Sequence, residues 1–441
     1  MKVRLAAALL PLLLLLTACG AGDWFGEAED PPLPGQRIAI LAFDRGVSAD
    51  SSLAELPVEL PPVNGTQRWV QFGGNAMHDL QHLALGDPLR RAWSSSVGQG
   101  RSDTTLLMAQ PLIVDGTVFT MDSQSIVTAM GSDSGRTQWQ RDLEPEDEDS
   151  GYFGGGLAFA DGRLFVSTGF GRLVALDAQN GEPLWQQAIP APMRAAPTVE
   201  GGRVFVVTLD NQTFALSATD GSVLWNHAGI QEVAGLAGSA PPAVSGSTVI
   251  VAYSSGEIFA LLAETGRVLW NDALSSVSRS DPLADLPHIR GAPVVHGDWV
   301  FAISHARRMV AIDLRQGLRV WDIELGGVEM PWVAGNFIFQ LTNDNQVVCL
   351  RREDGRIRWV QVLPRFTDPE DQEGPIRWHG PLLAGGRLFV AGSNGEALAL
   401  SPADGAILTR IDLPGPAVVP PAAAGGSLYF LAEDGTLAAY R

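Results

Sequence analysis

His78 and His82 stand four residues apart, the spacing that turns two imidazoles to one face of a helix. A zinc centre needs three or four ligands and the pair supplies two. The expectation is therefore a metal-free loop or turn leading into the strand around Trp93. Two acidic runs, Glu144-Pro-Glu-Asp-Glu-Asp149 and Asp368-Pro-Glu-Asp-Gln-Glu373, carry the oxygen ligands that calcium takes. They equally have the composition of solvated connections, which is the reading adopted. The chain has no Gly-x-Ser-x-Gly turn, no His-Glu-x-x-His and no adjacent cysteines. Catalytic residues, cofactor and resident metal are all expected to be none.

The two cysteines, Cys19 and Cys349, cannot form a disulfide scaffold. Cys19 ends a recognisable leader. Lys2 and Arg4 precede an apolar run from Leu5 to Leu16, broken only by Pro11, and Leu16-Thr17-Ala18-Cys19 follows. At about 1.5 Å per residue such a run is too short to span a hydrocarbon core of about 30 Å. The leader resembles a bacterial lipobox, in which the signal is cut before the cysteine and the thiol is acylated. That resemblance makes residues 1–18 a lipoprotein signal peptide and Cys19 the lipidation site. Several acyl chains give stable anchoring where one is marginal. Gly20 stands where an aspartate would resemble an inner-membrane retention signal, so the implied address is the periplasmic face of the outer membrane. Residues 19–66, with Asp30-Pro-Pro-Leu-Pro-Gly35 and Leu60-Pro-Pro-Val-Asn-Gly65, read as a flexible tether. Gly35–Leu41 is a possible edge strand within it.

The elements behind the tether follow from a repeat, and its period decides the fold. Ala175-Leu-Asp-Ala-Gln-Asn-Gly181-Glu-Pro-Leu-Trp185 recurs as Ala129…Gly135…Trp139, Ala215…Gly221…Trp225, Ala260…Gly266…Trp270 and Ala311…Gly317…Trp321. Cys349…Gly355…Trp359 and Ala399…Gly405…Thr409 keep the spacing with one substitution each. Successive last positions fall 38–51 residues apart. Each copy reads as two strands joined by a glycine turn. A second hairpin precedes each copy, with turns at Gly116, Gly162, Gly202, Gly246, Gly297, Gly335, Gly386 and Gly426. Four short strands per unit, repeated eight times, give an all-β chain. The expectation is an eight-bladed β-propeller over residues 67–441. The eighth unit stops before its last strand. The unpaired Arg91-Ala-Trp93-Ser-Ser-Ser-Val97 is expected to supply it and close the ring. The repeat tryptophans are expected between blades, the small residue leaving room for close approach, and Cys349 as a buried, inert thiol.

The Ala-Leu-Asp-x-x-x-Gly-x-x-Leu-Trp unit resembles the repeat of pyrroloquinoline-quinone dehydrogenases and their non-enzymatic relatives. With the leader and a single ring, the chain resembles the BamB family of outer-membrane assembly lipoproteins. That resemblance implies a non-catalytic scaffold of the BAM complex. Its implied partners are a BamA-like barrel-insertion subunit, nascent outer-membrane proteins, and the membrane through the lipid anchor. The family docks through loops on one face, with an arginine in one loop and aspartates in the next. The matching stretches here are Val233-Ala-Gly-Leu236-Ala-Gly and His288-Ile-Arg290. Val233 and Leu236 keep the apolar character; the arginine is absent, and His288 and Arg290 replace the acids. The contact residues implied are Val233, Leu236, His288 and Arg290, with His288 and Arg290 open to a second reading as a solvated loop pair. Trp378, outside the repeat positions like Trp332 and His379, is either a partner anchor or packing beneath a loop. Binding is expected to use connections 141–155, 227–240, 271–291 and 360–380. A periplasmic quinone-dependent dehydrogenase and an envelope protein-binding module are the other readings.

Charge excludes one class of partner. The net charge is −19 and the one lysine, Lys2, leaves with the leader. No positive field is available for nucleic acid or for an anionic lipid surface.

Overall fold

A computed structural model describes residues 47–145, 154–232, 235–275 and 286–441. Cys19, the signal peptide, the proposed strand at 35–41, Val233 and most of the first acidic run lie outside the described residues.

Eight four-stranded antiparallel sheets follow one another along the chain. Blades one to seven occupy residues 112–142, 155–188, 198–228, 243–273, 294–323, 332–362 and 378–412. Blade eight takes three strands from residues 422–440 and its outer strand from Arg91–Ser96, which pairs antiparallel with Thr436–Tyr440. The expected closure by an N-terminal strand is therefore present.

The repeat residues make a row across each blade. Ala175 faces Phe165 on one neighbouring strand and Trp185 on the other, and the same register holds at Ala129, Ala215, Ala311 and Cys349. The small residue is fully buried, and the flanking Phe and Trp rings meet across it with centroids 5.9–6.0 Å apart. This refines the expected role of the small residue: it is the gap that lets two aromatics close. Cys349 fills that position as a buried free thiol, and burial pushes its ionisation upward.

Neighbouring blades are latched by the same tryptophans. From Trp93 to Trp359, each indole N–H donates to a carbonyl in the turn of the next blade at 2.7–3.2 Å. The turn glycine lies flat against the indole. A Cβ on Gly266 (φ +71°) would sit 2.6 Å from the Trp225 ring, whereas one on Gly246 (φ +57°) would meet nothing within 4 Å. Both substitutions strain the left-handed backbone by about 1–2 kcal/mol, but only one also displaces a ring. Gly266→Ala is expected to lower stability by about 3 kcal/mol and Gly246→Ala by about 1. Equal shifts in urea midpoint would remove the latch argument.

The segment before the closing strand is not a free tether throughout. Residues 50–56 lie on the outer edge of blade six, and Glu59 and Pro61 reach the turn of its inner hairpin at Gly335. Asp50 N–H donates to the Ile357 carbonyl at 2.8 Å, its carboxylate pairs with Arg356 at 2.6 Å, and Arg358 holds the Leu56 carbonyl at 2.8 Å. Hydrogen bonds from Ser52 and then from Arg356 hold the Asp50 carboxyl down at about 2.

Residues 66–86 then circle the inside of the ring. Trp69 exchanges backbone hydrogen bonds with Ile113 of blade one at 2.7 and 2.9 Å. Val70 O accepts from Phe159 of blade two, and Gln71 Oε1 from Val199 of blade three. Ala76 O and Met77 O accept from Val244 and Val295 of blades four and five. Gln81 takes the Gly335 N–H and the Trp332 indole of blade six. Leu83 is bonded on both sides to blade seven, and Gly86 N–H reaches Gly426 of blade eight. One stretch of chain is thus bonded to all eight innermost strands near their hairpin ends.

His78 and His82 belong to this belt, and both are buried. His82 donates from Nδ1 to Pro61 O and accepts the Gly386 N–H at Nε2, which fixes its tautomer. His78 Nδ1 donates to Pro293 O at 2.8 Å. Trp332, outside the repeat positions, is in an inner strand and not in a connection; it is buried, and its indole holds the belt.

Candidate functional site

Each blade hands the chain to the next through a connection at the end of the ring opposite the turn that joins its two inner strands, the end that also carries the turns between its second and third strands. These connections surround an open mouth of about 600 Å³. Phe72 of the belt forms part of its floor, and Leu107, Met108, Met330 and Val419 part of its apolar wall. The hairpin end of the ring is occupied by residues 66–86, so the cavity is a funnel open on one side.

Leu236 and Arg290, on two connections, and Trp378, which the structure places at the start of blade seven's inner strand and not in a connection, all line this mouth. Leu236 is half-buried, and the Arg290 side chain is 30% exposed. His288 belongs beneath the surface rather than on it. It is 3% exposed, and its Nδ1 accepts the Leu236 N–H at 2.9 Å. Its backbone carbonyl accepts from His305 at 3.0 Å. Burial, then the nearby Arg290 and His305, lowers its pKa to about 4, so it is neutral near pH 7. This overturns both the solvated-loop reading and direct partner contact for His288. The residue braces the 229–242 connection against the next one. Trp378 is likewise buried, and its indole donates to Pro364 O at 2.9 Å. Of the two readings for Trp378, the structure shows packing beneath the 363–377 connection.

Glu329 is the residue that sequence reasoning missed. It is 5% exposed, 3.1 Å from His379 Nδ1 and 3.6 Å from Arg290 Nη1. Gln340 Nε2 donates to its carbonyl at 3.0 Å. The one available signal was a lone carboxylate in Leu325-Gly-Gly-Val-Glu329-Met-Pro, an otherwise uncharged stretch. The carboxylate ties connections on both sides of blade five to blade seven. Arg101, Arg194 and Arg377 also face the mouth, and Arg101 pairs with Glu433 at 3.2 Å. Arginine is thus concentrated here in a chain of net charge −19.

Among the described residues no three His, Cys, Asp or Glu side chains are placed to hold a metal ion. The second acidic run is the tip of a small hairpin, Phe366–Asp368 with Glu373–Pro375. There Asp368 accepts the Glu370 and Asp371 N–H groups and so organises its own turn.

Comparison with known proteins agrees with this geometry. A family model described as outer membrane protein assembly factor BamB matches residues 123–361 and 367–441. The outer membrane protein assembly factor BamB of Salmonella typhimurium is 29% identical over 353 residues, covering 78% of this chain and 87% of that protein. The crystal structure of BamB from Moraxella catarrhalis superposes with a TM-score of 0.67 at 22% identity, covering 80% of this chain and 99% of that one. The quinohemoprotein alcohol dehydrogenase of Comamonas testosteroni gives 0.64 at 14% identity, with 86% and 81% covered. At these identities the two structures report the shared fold alone.

Proposed function

The chain belongs to the BamB family of outer membrane protein assembly factors, and on that premise we propose that it is a non-catalytic scaffold of the outer-membrane β-barrel assembly machinery. In this reading Cys19 carries the acyl chains, residues 19–46 form the tether, and the ring stands on the periplasmic face of the outer membrane. The open mouth docks on a BamA-like barrel-insertion subunit and assists the insertion of nascent outer-membrane proteins.

One observation carries the choice of face. The chain's own residues 66–86 occupy the hairpin end of the ring, and the mouth lined by Leu236 and Arg290 is left open. The partner surface that suits this mouth is apolar with acidic neighbours, because arginines outnumber carboxylates around it. The non-catalytic reading is supported by the commitments of its polar groups. Glu329 is engaged by Arg290 and His379, and the thiol of Cys349 is buried away from the mouth.

Membrane fractionation followed by mild detergent extraction tests the reading. Wild-type chain is expected to sediment with membranes and to bring a barrel-insertion subunit through affinity purification. Cys19→Ala is expected in the soluble fraction with an unchanged melting temperature. Membrane retention of that variant would overturn the lipid anchor, and a wild type recovered without the subunit would overturn the docking.

A further inference from the structure

We propose that the outer strand of blade three, Val223–Ala228, accepts an added β-strand from an unfolded outer-membrane client. The inference rests on the assembly-factor reading and adds a second surface to it.

Every outer strand of a propeller presents unpaired backbone groups, and proteins guard such edges with charge, proline or covering chain. Seven of the eight outer strands here are guarded. Thr137–Asp142 carries Arg141 and Asp142, and Pro183–Ala188 begins with proline. Val268–Ala273 carries Asp272, held by Arg319, whose guanidinium also takes the Ala273 carbonyl at 2.7 Å. Arg319–Ile323, Ile407–Asp412 and Arg91–Ser96 each contain arginine. Ile357–Val362 contains Arg358 and is covered by residues 50–56.

Val223–Ala228, reading Val-Leu-Trp-Asn-His-Ala, has no carboxylate, lysine, arginine or proline. It is the edge of its sheet, and among the described residues no backbone group pairs with its outer side. Val223 and Leu224 are 47% and 48% exposed, and Ile230 just beyond is 60% exposed. Asn226 and Ala228 alternate with Trp225 and His227, Leu224 is the extra residue of a bulge opposite Ala215 and Leu216, and the edge is uncharged and mainly apolar up to Ile230, whose N–H donates to Glu257 Oε2 at 2.6 Å. The strand leads directly into the connection that carries Leu236 to the mouth, so this edge is continuous with the proposed docking surface.

The chemistry selects the occupant. A folded partner guards its own edges, whereas a membrane β-strand before insertion has free backbone groups and apolar residues at every second position over about ten residues. On blade six an N-terminal segment covers the outer strand through a 3-10 turn at Ser51–Leu53 and one backbone bond, Asp50 N–H to the Ile357 carbonyl, so that edge is closed while the blade-three edge is not.

Fluorescence anisotropy with the full chain and a labelled ten-residue peptide alternating valine or leucine with threonine tests this. Leu224→Lys/Asn226→Lys is expected to weaken binding at least tenfold. The matched pair on blade four, Leu269→Lys/Asn271→Lys, is expected to change it less than twofold. All four side chains are exposed, and melting temperatures check that both variants stay folded. A photo-cross-linker at position 226, and not at 271, is expected to capture the peptide. Equal binding by both variants overturns the proposal. So does absence of peptide binding while the barrel-insertion subunit still co-purifies, and that result leaves the assembly-factor reading standing. Loss of subunit recovery rather than peptide binding in the blade-three variant would make the edge a contact for a folded partner, also against the proposal.

Discussion

Trp69→Ala is expected to lower the unfolding free energy by about 3–5 kcal/mol. The ring of Trp69 is fully buried, and its indole N–H donates to Gln110 Oε1 at 3.1 Å. The same Gln110 donates from Nε2 to the carbonyls of Pro420 and Pro421, so the indole sits where the belt, blade one and blade eight meet. Removing it leaves a cavity under the belt and withdraws a donor from that junction. Trp139→Ala removes a side chain of equal size, but that one is half-buried at an ordinary blade contact, and roughly 2 kcal/mol is expected. Urea midpoints of the two variants decide the point. Equal losses would mean that the belt merely rests on the ring instead of fastening it.

The second large effect is acid destabilisation well above the range where carboxylates titrate. His78 and His288 are held neutral, with pKa values lowered from 6.5 to about 4 by burial. Between pH 6.5 and 4 the unfolded chain binds protons at both sites and the folded chain does not, so stability falls as pH falls through that window. A shift of this size is worth roughly 3 kcal/mol per histidine. His227 and His305, also lowered by burial, act in the same direction. The Asp50 contribution has a different window: it is present above the ordinary carboxyl range and is lost as pH falls toward 2. Denaturant midpoints measured from pH 7 to 4 should fall steeply in wild type and much less in His78→Gln/His288→Gln. An unchanged slope in the double variant would show that other groups carry the acid response.

What was legible in the sequence was what repeats. The Ala…Gly…Trp spacing is imposed by a row of side chains inside each blade and a latch to the next, so it recurs wherever that geometry recurs. Leu236 and Arg290 were found by matching loops, and they do meet at one mouth. His288 was misplaced because burial of a loop histidine depends on a backbone N–H 52 residues away, at Leu236, which no local pattern announces. The belt left no trace for a related reason. Trp69-Val-Gln-Phe-Gly-Gly-Asn-Ala-Met-His78 has neither a period of two nor of 3.6, and its partners lie at residues 113 to 426. Glu329 was a single acidic letter whose importance comes only from Arg290 on a neighbouring connection and His379 of blade seven converging on it.

The belt also sets a timetable. A chain made from its N-terminus presents residues 66–86 before any of the inner strands they bond to, and Arg91–Ser96 long before Thr436–Tyr440. Individual hairpins can form as they emerge, because their contacts are local. Closure cannot, since both the belt and the closing strand wait for the last blade. Contacts of such long sequence separation slow folding and leave intermediates with open edges. The ring therefore closes only after the last blade has formed, and until then the chain is a row of hairpins with unpaired sheet edges.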